Sequence, residues 1–558
     1  MESWLPKLVL SLRGYSRKDL VADVIAGITV GMVALPLAMA FAIASGLSPQ
    51  AGIYCAVVTG FLISALGGSR VQIGGPTGAF VVVIAGIIGK HGVDGLFMCT
   101  MMAGVLLFAM GVTGLGAAVK YIPRPVVLGF TNGIAVLIAS TQIKDFFGLT
   151  LAHVPGEFLH RMRALAGASQ TLSWEATLLA LAGVATIVLC STYLKHVPGY
   201  IVALLLGTAA VVTLRLPVDT IGTRFGGIPS GLPHFDLPTF RPDLMLGLFS
   251  PALTVAMLGA IESLMSAMVA DRMSGDKHNP NVELMAQGVA NIAAPMFGGL
   301  PATGAIARTA TNVRSGARTP IAGIVHAITL VLILLFAAPL AKYVPLAVLA
   351  AILLVVAYNM GEWGETAKLM KLTKSDISVW FVTFLLTVMA DLTVAVEFGM
   401  ILAALLFIRK VAVTTTVSAV TDDYVEDGRV HTLQDKDIPE YARIFRIHGP
   451  FLFGATDKLA EMTSDVDSLP HVVILRLRNM NALDATGLHE FEQLADRLHA
   501  TGRVLILCGA REQPAELMRQ AEFEAHVGRE NICANVEEAL KRAREFEDEA
   551  AARAAAAT

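Results

Sequence analysis

The sequence predicts an all-α polytopic membrane domain of fourteen transmembrane segments, arranged as a seven-plus-seven inverted repeat, followed by a cytoplasmic α/β domain. Three observations carry that expectation. The composition is 55% hydrophobic and 16% charged over 558 residues, with mean hydropathy +0.64, so there is too little polar surface to cover a soluble fold of this length. Long apolar runs are punctuated by Gly and Pro, 50 and 24 in all, two residues commoner in membrane helices than in soluble ones. One motif occurs twice, at corresponding places in two halves of the chain. The net charge of −3 offers no basic face, which argues against a nucleic-acid partner.

Apolar runs fall near 24–44, 51–67, 77–89, 95–118, 125–145, 174–193 and 199–215. After a polar, Pro-rich stretch they resume near 245–270, 283–297, 302–313, 320–341, 345–361, 376–390 and 393–408. The first run is long and followed by many of its kind, so it reads as a spanning helix and not a cleaved leader. An even number of crossings returns both termini to one side. Loops on that side hold about 17 Lys and Arg against about 8 opposite, which makes it cytoplasmic. Arg13, Arg17, Lys18, Lys120, Arg124, Arg272, Lys277, Arg314, Arg318, Arg409 and Lys410 fall there.

Two runs, 77–89 and 302–313, are too short to span, at about 12 residues against the roughly 20 that a bilayer core needs. Both open alike: Gly74-Gly-Pro-Thr-Gly-Ala79 resembles Gly298-Gly-Leu-Pro-Ala-Thr-Gly-Ala305. Tyr121-Ile-Pro123 before the fifth run likewise resembles Tyr343-Val-Pro345 before the twelfth. The offsets agree at about 226 and 222 residues, the mark of a tandem repeat, and an odd repeat of seven helices inverts its second copy. From about Val411 charges return and short β-branched or Leu-rich runs (443–448, 471–477, 503–507) alternate with helical patterns such as 487–500, as in an α/β domain. The expected organisation is therefore a cytoplasmic N-terminus 1–20, a first repeat 21–215, an extracytoplasmic linker 216–244, a second repeat 245–410, a linker 411–442, the α/β domain 443–546 and an Ala-rich, solvated helical tail 547–558.

The short helices carry the chemistry. A half-helix starting at mid-membrane aims unpaired N–H groups and the positive end of its dipole at whatever sits there. Inversion makes two such ends converge, so Thr77-Gly78-Ala79 and Thr303-Gly304-Ala305 should face one another across an anion site, with Pro76 and Pro301 near each helix start; the bland alternative is a pair of Gly/Pro kinks. Glu262 is an acid deep in the apolar run 253–268, costly unless it faces a polar cavity or titrates. Ser266 lies one turn on, on the same face, so the pair lines the site or binds a coupling ion. Burial of a carboxyl favours its protonated form, which suits Glu262 to carrying a proton; the alternative is a Glu locked to a neighbouring helix. Arg308, inside the second short helix, is either the cation of the anion site, balancing Glu262, or an Arg turned to the cytoplasmic exit toward headgroups or Glu283. His326, Asp391 and Glu397 are weaker candidates. Cys55, Cys99, Cys190, Cys508 and Cys533 show no metal-ligand or redox spacing and read as inert; no metal or cofactor is expected.

At these residues the sequence resembles the SulP (sulfate permease) family of anion transporters. The resemblance rests on Gly74-Gly-Pro-Thr-Gly78, Gly227-Gly-Ile-Pro-Ser-Gly-Leu-Pro233, the Glu262 run, Gly298-Gly-Leu-Pro-Ala-Thr-Gly304 and Arg308-Thr-Ala-Thr-Asn-Val-Arg314. Leu483-Asp-Ala-Thr-Gly-Leu488 matches the strand-to-helix junction of a STAS domain. The resemblance implies core and gate domains, an elevator-like shift of one against the other, and a homodimer. It implies an anion lined by Phe41, Thr77, Gly78, Ala79, Glu262, Ser266, Gly304, Ala305 and Ile306, with Thr303 and Arg308 beside it. Sodium-coupled members tend to have Asp where Glu262 stands and a hydroxyl residue where Ile306 stands, so the resemblance favours a proton. Regulatory STAS proteins are usually phosphorylated at the position of Ala485, which excludes that modification here. Within the family, 256–264, Lys277-His278, Gln142-Ile-Lys-Asp145 and Ala152-His-Val-Pro155 look most like bacterial C4-dicarboxylate transporters. The function expected is proton-coupled symport of succinate, fumarate or aspartate across the bacterial inner membrane, with no reaction catalysed. The alternatives are a sulfate or bicarbonate transporter, exchanger or channel on the same fold, and an anion sensor signalling through a protein partner on the STAS domain. A nucleobase carrier would want a second acid in 302–307, which has none.

Overall fold

A computed structural model describes residues 4–117, 122–151, 154–194, 197–228, 231–239, 241–390, 392–419, 438–463 and 465–557. Tyr121, Pro229, Ser230, Asp391 and the Glu397 side chain lie outside the described residues. The chain divides into two compact units, Met1–Ile401 and Leu402–Thr558.

In the first unit, α1 (Lys7–Leu12), α2 (Arg17–Ala44) and α3 (Pro49–Leu66) lead to a two-residue strand β1 (Gly74–Gly75). There follow α4 (Gly78–Val112), α5 (Arg124–Phe146), α6 (Phe158–Gly167), α7 (Trp174–Tyr193), α8 (Gly199–Leu214) and α9 (Ile221–Phe225). The second half repeats the plan: α10 (Met245–Ser274), α11 (Pro280–Ala293), β2 (Thr303–Gly304), α12 (Ile306–Arg314), α13 (Ile321–Ala341), α14 (Leu346–Met360), α15 (Trp363–Leu369), α16 (Lys374–Met389) and α17 (Leu392–Thr414). Among the described residues, eight helical stretches are long and apolar enough to cross a membrane. The third and fourth apolar runs are two helices that abut within α4, separated by a kink at Gly92. Its φ of 72° and ψ of −174° belong to a region open essentially to glycine alone, so the helix breaks and the chain changes direction there.

The second unit carries the sheet β3 (Thr416–Ala419), β4 (Ala442–His448), β5 (Val472–Asn479), β6 (Val504–Cys508), β7 (Ile532–Cys533), in that spatial order. β3 runs antiparallel to β4 and the other neighbours are parallel. The stretch expected to be a linker, 411–442, thus contributes the end of α17 and an edge strand to the sheet. Apolar side chains alternate across β4, β5 and β6 to two separate cores, one under α18 (Asp457–Met462), α19 (Ala485–Ala500) and α20 (Glu512–Gln520), the other under α22 (Val536–Ala557); α21 (Glu524–Val527) packs beside β6. The tail expected at 547–558 is the continuation of α22 as far as Ala557. Asp484 caps α19 by accepting from Gly487 N (2.8 Å), and its other oxygen accepts from Phe453 N (3.0 Å). Lys458 caps the end of α17 by donating to the carbonyls of Ala412 and Thr415.

Packing in the membrane unit recurs with the two halves exchanged. α4 lies on α11 as α13 lies on α3, α10 on α4 as α2 on α13, and α5 on α16 as α14 on α7, while α5 packs on its own counterpart α14. This is the inverted repeat in physical form. The seams depend on glycine, because lipid tails supply no hydrophobic drive and helices associate through close backbone approach. A Cβ on Gly288 of α11 would stand 2.6 Å from Phe108 N and 2.7 Å from Gly104 O, both backbone atoms of α4. Gly288→Ala should therefore cost about 2 kcal/mol by overpacking and lower the melting temperature of the detergent-purified protein. Gly86→Ala, whose Cβ meets nothing within 4 Å, should not. Equal melting temperatures for the two variants would show that the α4–α11 seam is loose.

Candidate functional site

β1 and β2 pair antiparallel at the centre of the first unit, Gly74 opposite Gly304 and Gly75 opposite Thr303. The repeated motif meets itself, and α4 and α12 start three and two residues beyond the ends of β1 and β2. A ring of side chains holds the junction. Gly304 N donates to Ser263 Oγ (3.1 Å), Ser263 Oγ lies 2.6 Å from Thr303 Oγ1, and Thr303 Oγ1 donates to Gly259 O (3.0 Å). Ala305 N donates to Ile73 O (2.8 Å), and Ile73 N to Thr309 Oγ1 (3.1 Å). Asn291 brackets Ala302, donating to its carbonyl and accepting from its N–H, both at 2.9 Å. Asn312 Nδ2 donates to Val71 O (2.9 Å).

These bonds sort the expected residues. Thr303, Gly304 and Ala305 stand at the junction, with the Thr303 hydroxyl and the N–H groups of Gly304 and Ala305 taken by the scaffold. On this side the N–H groups without an intrahelical acceptor belong to Ile306, Ala307 and Arg308, the first turn of α12. Ser266 is likewise engaged, with Oγ 3.0 Å from Thr309 Oγ1, so its hydroxyl does not pair with Glu262 in an ion site. On the other side, Thr77 is the N-cap of α4 but makes no capping bond, and its buried Oγ1 has no partner. Gly78 and Ala79 open that helix.

Arg308 is 2% exposed. Its Nη2 donates to Pro76 O, at the mouth of α4, and its Nη1 has no partner. A Cβ on Gly75, at φ +150°, would overlap that nitrogen. The guanidinium is thus turned to β1 and the start of α4, and is paired with neither Glu262 nor Glu283. Among the described residues, three carboxylates are buried in this unit. Asp23 accepts from Tyr15, Arg318 N and Thr319, and Glu283 accepts from Gly68 N and Gln287 Nε2, both at 2.9 Å. Glu262, on the stripe of α10 that also carries Gly259, Ser263 and Ser266, is 7% exposed and has no hydrogen-bond partner among the described residues. Phe41 of α2 reaches the start of α4: a Cβ on Gly78 would stand 3.2 Å from its Cε1, 2.9 Å from Ile138 Cδ1 and 3.4 Å from Met360 Sδ. Ile138 and Met360 were not expected from the sequence. The signal existed, since 360 minus 138 is 222, the repeat offset of the Tyr-x-Pro motifs.

Unpartnered donors at two opposed helix starts make a site for a small anion. The model of the "Sulfate permease family" matches residues 20–383 and that of the "STAS domain" residues 433–539. The chain belongs to the sulfate permease family. The "Putative sulfate transporter YvdB" of Bacillus subtilis is 41% identical over 522 residues, covering 93% of this chain and 97% of that protein. The "Bicarbonate transporter BicA" of Synechocystis is 30% identical over 536 residues, covering 94% of each. The solved transmembrane domain of a cyanobacterial BicA is 34% identical, covers 70% of this chain and 98% of its own, and aligns with a TM-score of 0.62. SLC26A9, at 16% identity, shares the fold over 98% of this chain with a TM-score of 0.86. The chain is thus a multi-pass membrane protein of an anion-transporter family, ending in an α/β STAS domain whose Asp484 junction lies where the motif placed it.

The two junction glycines should separate in experiment. A Cβ on Gly304 would overlap Gln72 and stand 3.2 Å from Ser263 Cα, so Gly304→Ala should destabilise the protein by about 2 kcal/mol. A Cβ on Gly78 faces side-chain atoms alone, Ile138 Cδ1, Phe41 Cε1 and Met360 Sδ, and no backbone, so Gly78→Leu should lower the melting temperature less than Gly304→Leu does and abolish anion flux. A stable Gly304→Ala protein, or wild-type flux in Gly78→Leu, would refute this division.

Proposed function

We propose that the protein is a secondary active transporter that carries a small oxyanion together with a proton across the bacterial inner membrane, with both termini in the cytoplasm. The observation that carries this reading is the presence, at one junction, of unpartnered polar atoms (Thr77 Oγ1, Arg308 Nη1) and two helix starts together with a carboxylate, Glu262, that is 7% exposed and has no hydrogen-bond partner among the described residues. An anion answers the first set and a proton answers the second. α2, α3, α4, α10, α11, α12 and α13 form the core; α5, α7, α8, α14, α16 and α17 form the gate. The core slides elevator-like past Ile138 and Met360, in a homodimer, while the STAS domain offers a surface to a cytoplasmic protein.

For the substrate, the relatives named above point to inorganic oxyanions, sulfate or bicarbonate. Of the residues that suggest a C4-dicarboxylate, 256–264 carries Glu262 and Ser263 of the junction, while three others are engaged elsewhere. Asp145 pairs with Arg224 at 2.8 Å, Lys144 donates to Leu151 O at 3.0 Å, and His278 contacts Asp271 at 2.6 Å; Ala152 and His153 lie outside the described residues. Those contacts support a scaffold role, so the dicarboxylates enter as competitors.

Purified protein in liposomes should take up labelled sulfate or bicarbonate, and a panel of sulfate, bicarbonate, succinate, fumarate and aspartate should rank the substrates. Strongest competition by a dicarboxylate would replace the inorganic reading, and absence of flux for every anion would leave the sensor. In Glu262→Gln the group is permanently neutral, so anion exchange should survive while uptake driven by an inward proton gradient is lost. Continued gradient-driven accumulation in that variant would make Glu262 structural.

A further inference from the structure

His326 of α13 is 0% exposed, and its ring nitrogens have no side-chain partner; the backbone carbonyl of Gly323, one turn before it, is the acceptor its ring N–H approaches. A neutral imidazole brings one donor and one acceptor, so the remaining nitrogen is an acceptor left unmet in an apolar interior, at the cost of its desolvation. Its surroundings suggest what it answers. The ring rests on Gly60 of α3, where a Cβ would stand 3.1 Å from Cε1, 3.2 Å from Nδ1 and 3.4 Å from Gly74 O. It therefore lies beside β1. Arg308 comes to the same two-residue strand from α12, against Gly75, with Nη2 on Pro76 O and Nη1 unmet. Ser64 Oγ, one turn beyond Gly60 and pressed on Gly323, is also buried without a partner. Unmet polar atoms from three helices thus gather behind β1, where Gly60 and Gly75 leave no side chain between them.

We infer that His326 is a positioning residue for the anion site: its neutral ring accepts from Arg308 Nη1 through one buried water, and holds the guanidinium at Pro76. The inference deepens the transport reading and rests on it. A water in such a place meets the condition for buried water, several otherwise unsatisfied polar groups around it.

The test uses the full-length protein in liposomes, with initial uptake of labelled sulfate and of labelled bicarbonate. His326→Leu removes the acceptor at nearly constant volume, and should raise KM about tenfold, the scale of a lost hydrogen bond to a charged group, with little change in the maximal rate. His326→Gln, which keeps a donor and an acceptor, should regain most of that loss. A wild-type KM in His326→Leu overturns the inference. A merely structural histidine predicts a neutral or stabilising effect, because a ring with an unmet acceptor has been replaced by a hydrocarbon. A second measurement needs no transport: melting temperatures of His326→Leu, Arg308→Met and the double variant. Coupled side chains give a double variant less destabilised than the sum of the singles, and additive shifts overturn the inference. Absence of flux in the wild type with non-additive melting shifts would overturn the transport reading alone.

Discussion

The antiparallel pairing of Gly74–Gly75 with Thr303–Gly304 is the constraint on which the rest of the membrane unit depends. A membrane interior offers no water to a broken helix, so every backbone group at a break must find its partner inside the protein. Two breaks facing each other solve this reciprocally. Residual needs are met by Ser263, Asn291, Thr309 and Asn312, each holding a main-chain group at 2.9 to 3.1 Å. Strands this close at the axis require glycine, since a Cβ at Gly304 would overlap Gln72 and one at Gly74 would overlap Ile63. The polar residues scattered through α10, α11 and α12 thus have a common cause.

That clamp also explains why so few donors remain for a ligand. It uses the N–H groups of Gly304 and Ala305 and the hydroxyls of Thr303, Ser266 and Thr309. The first turns of α4 and α12, the Thr77 hydroxyl and one arm of Arg308 are left over. Beside them stand unmet acceptors, Gln72 Oε1, Gln287 Oε1 and Asn312 Oδ1; the fixed positive charge at the junction is that of Arg308, and it is this charge, with the two helix starts, that suits the point to an anion.

The fold was legible from the sequence because its causes are local and repeated. Run lengths set the helices, the twofold Gly-Gly motif set the inversion, and Asp484-Ala-Thr-Gly487 marked a helix cap in the second unit. What sequence reasoning missed depends on which partner each polar group finds. Nothing local says that Ser266 meets Thr309 across 43 residues, or that Arg308 turns to Pro76 across 232 and away from Glu262. Nor does local sequence separate Glu262 from Glu283, two acids in apolar helices, one without a partner and one receiving Gly68 N and Gln287. The break between the third and fourth runs was legible too, since Gly92 adopts the non-helical conformation that separates them.

On the proposed function, the polarity of the junction also sets the sign of the coupling. Ionised Glu262 places a negative charge on the same stripe of α10 that holds β2, in surroundings of low dielectric, where like charges repel strongly. An anion entering beside Arg308 then raises the free energy of the ionised carboxylate, and a proton on Glu262 removes the repulsion. By linkage each ligand favours the other by the same factor. Symport requires the emptied core to return with Glu262 ionised, and on the proposed function Arg308 is the charge that allows it. The loaded core holds Arg308, the anion and protonated Glu262, and the empty core holds Arg308 and ionised Glu262, so in both states positive and negative charge are matched as the core passes Ile138 and Met360, whereas a core with anion and ionised Glu262 together carries an excess negative charge past the same side chains.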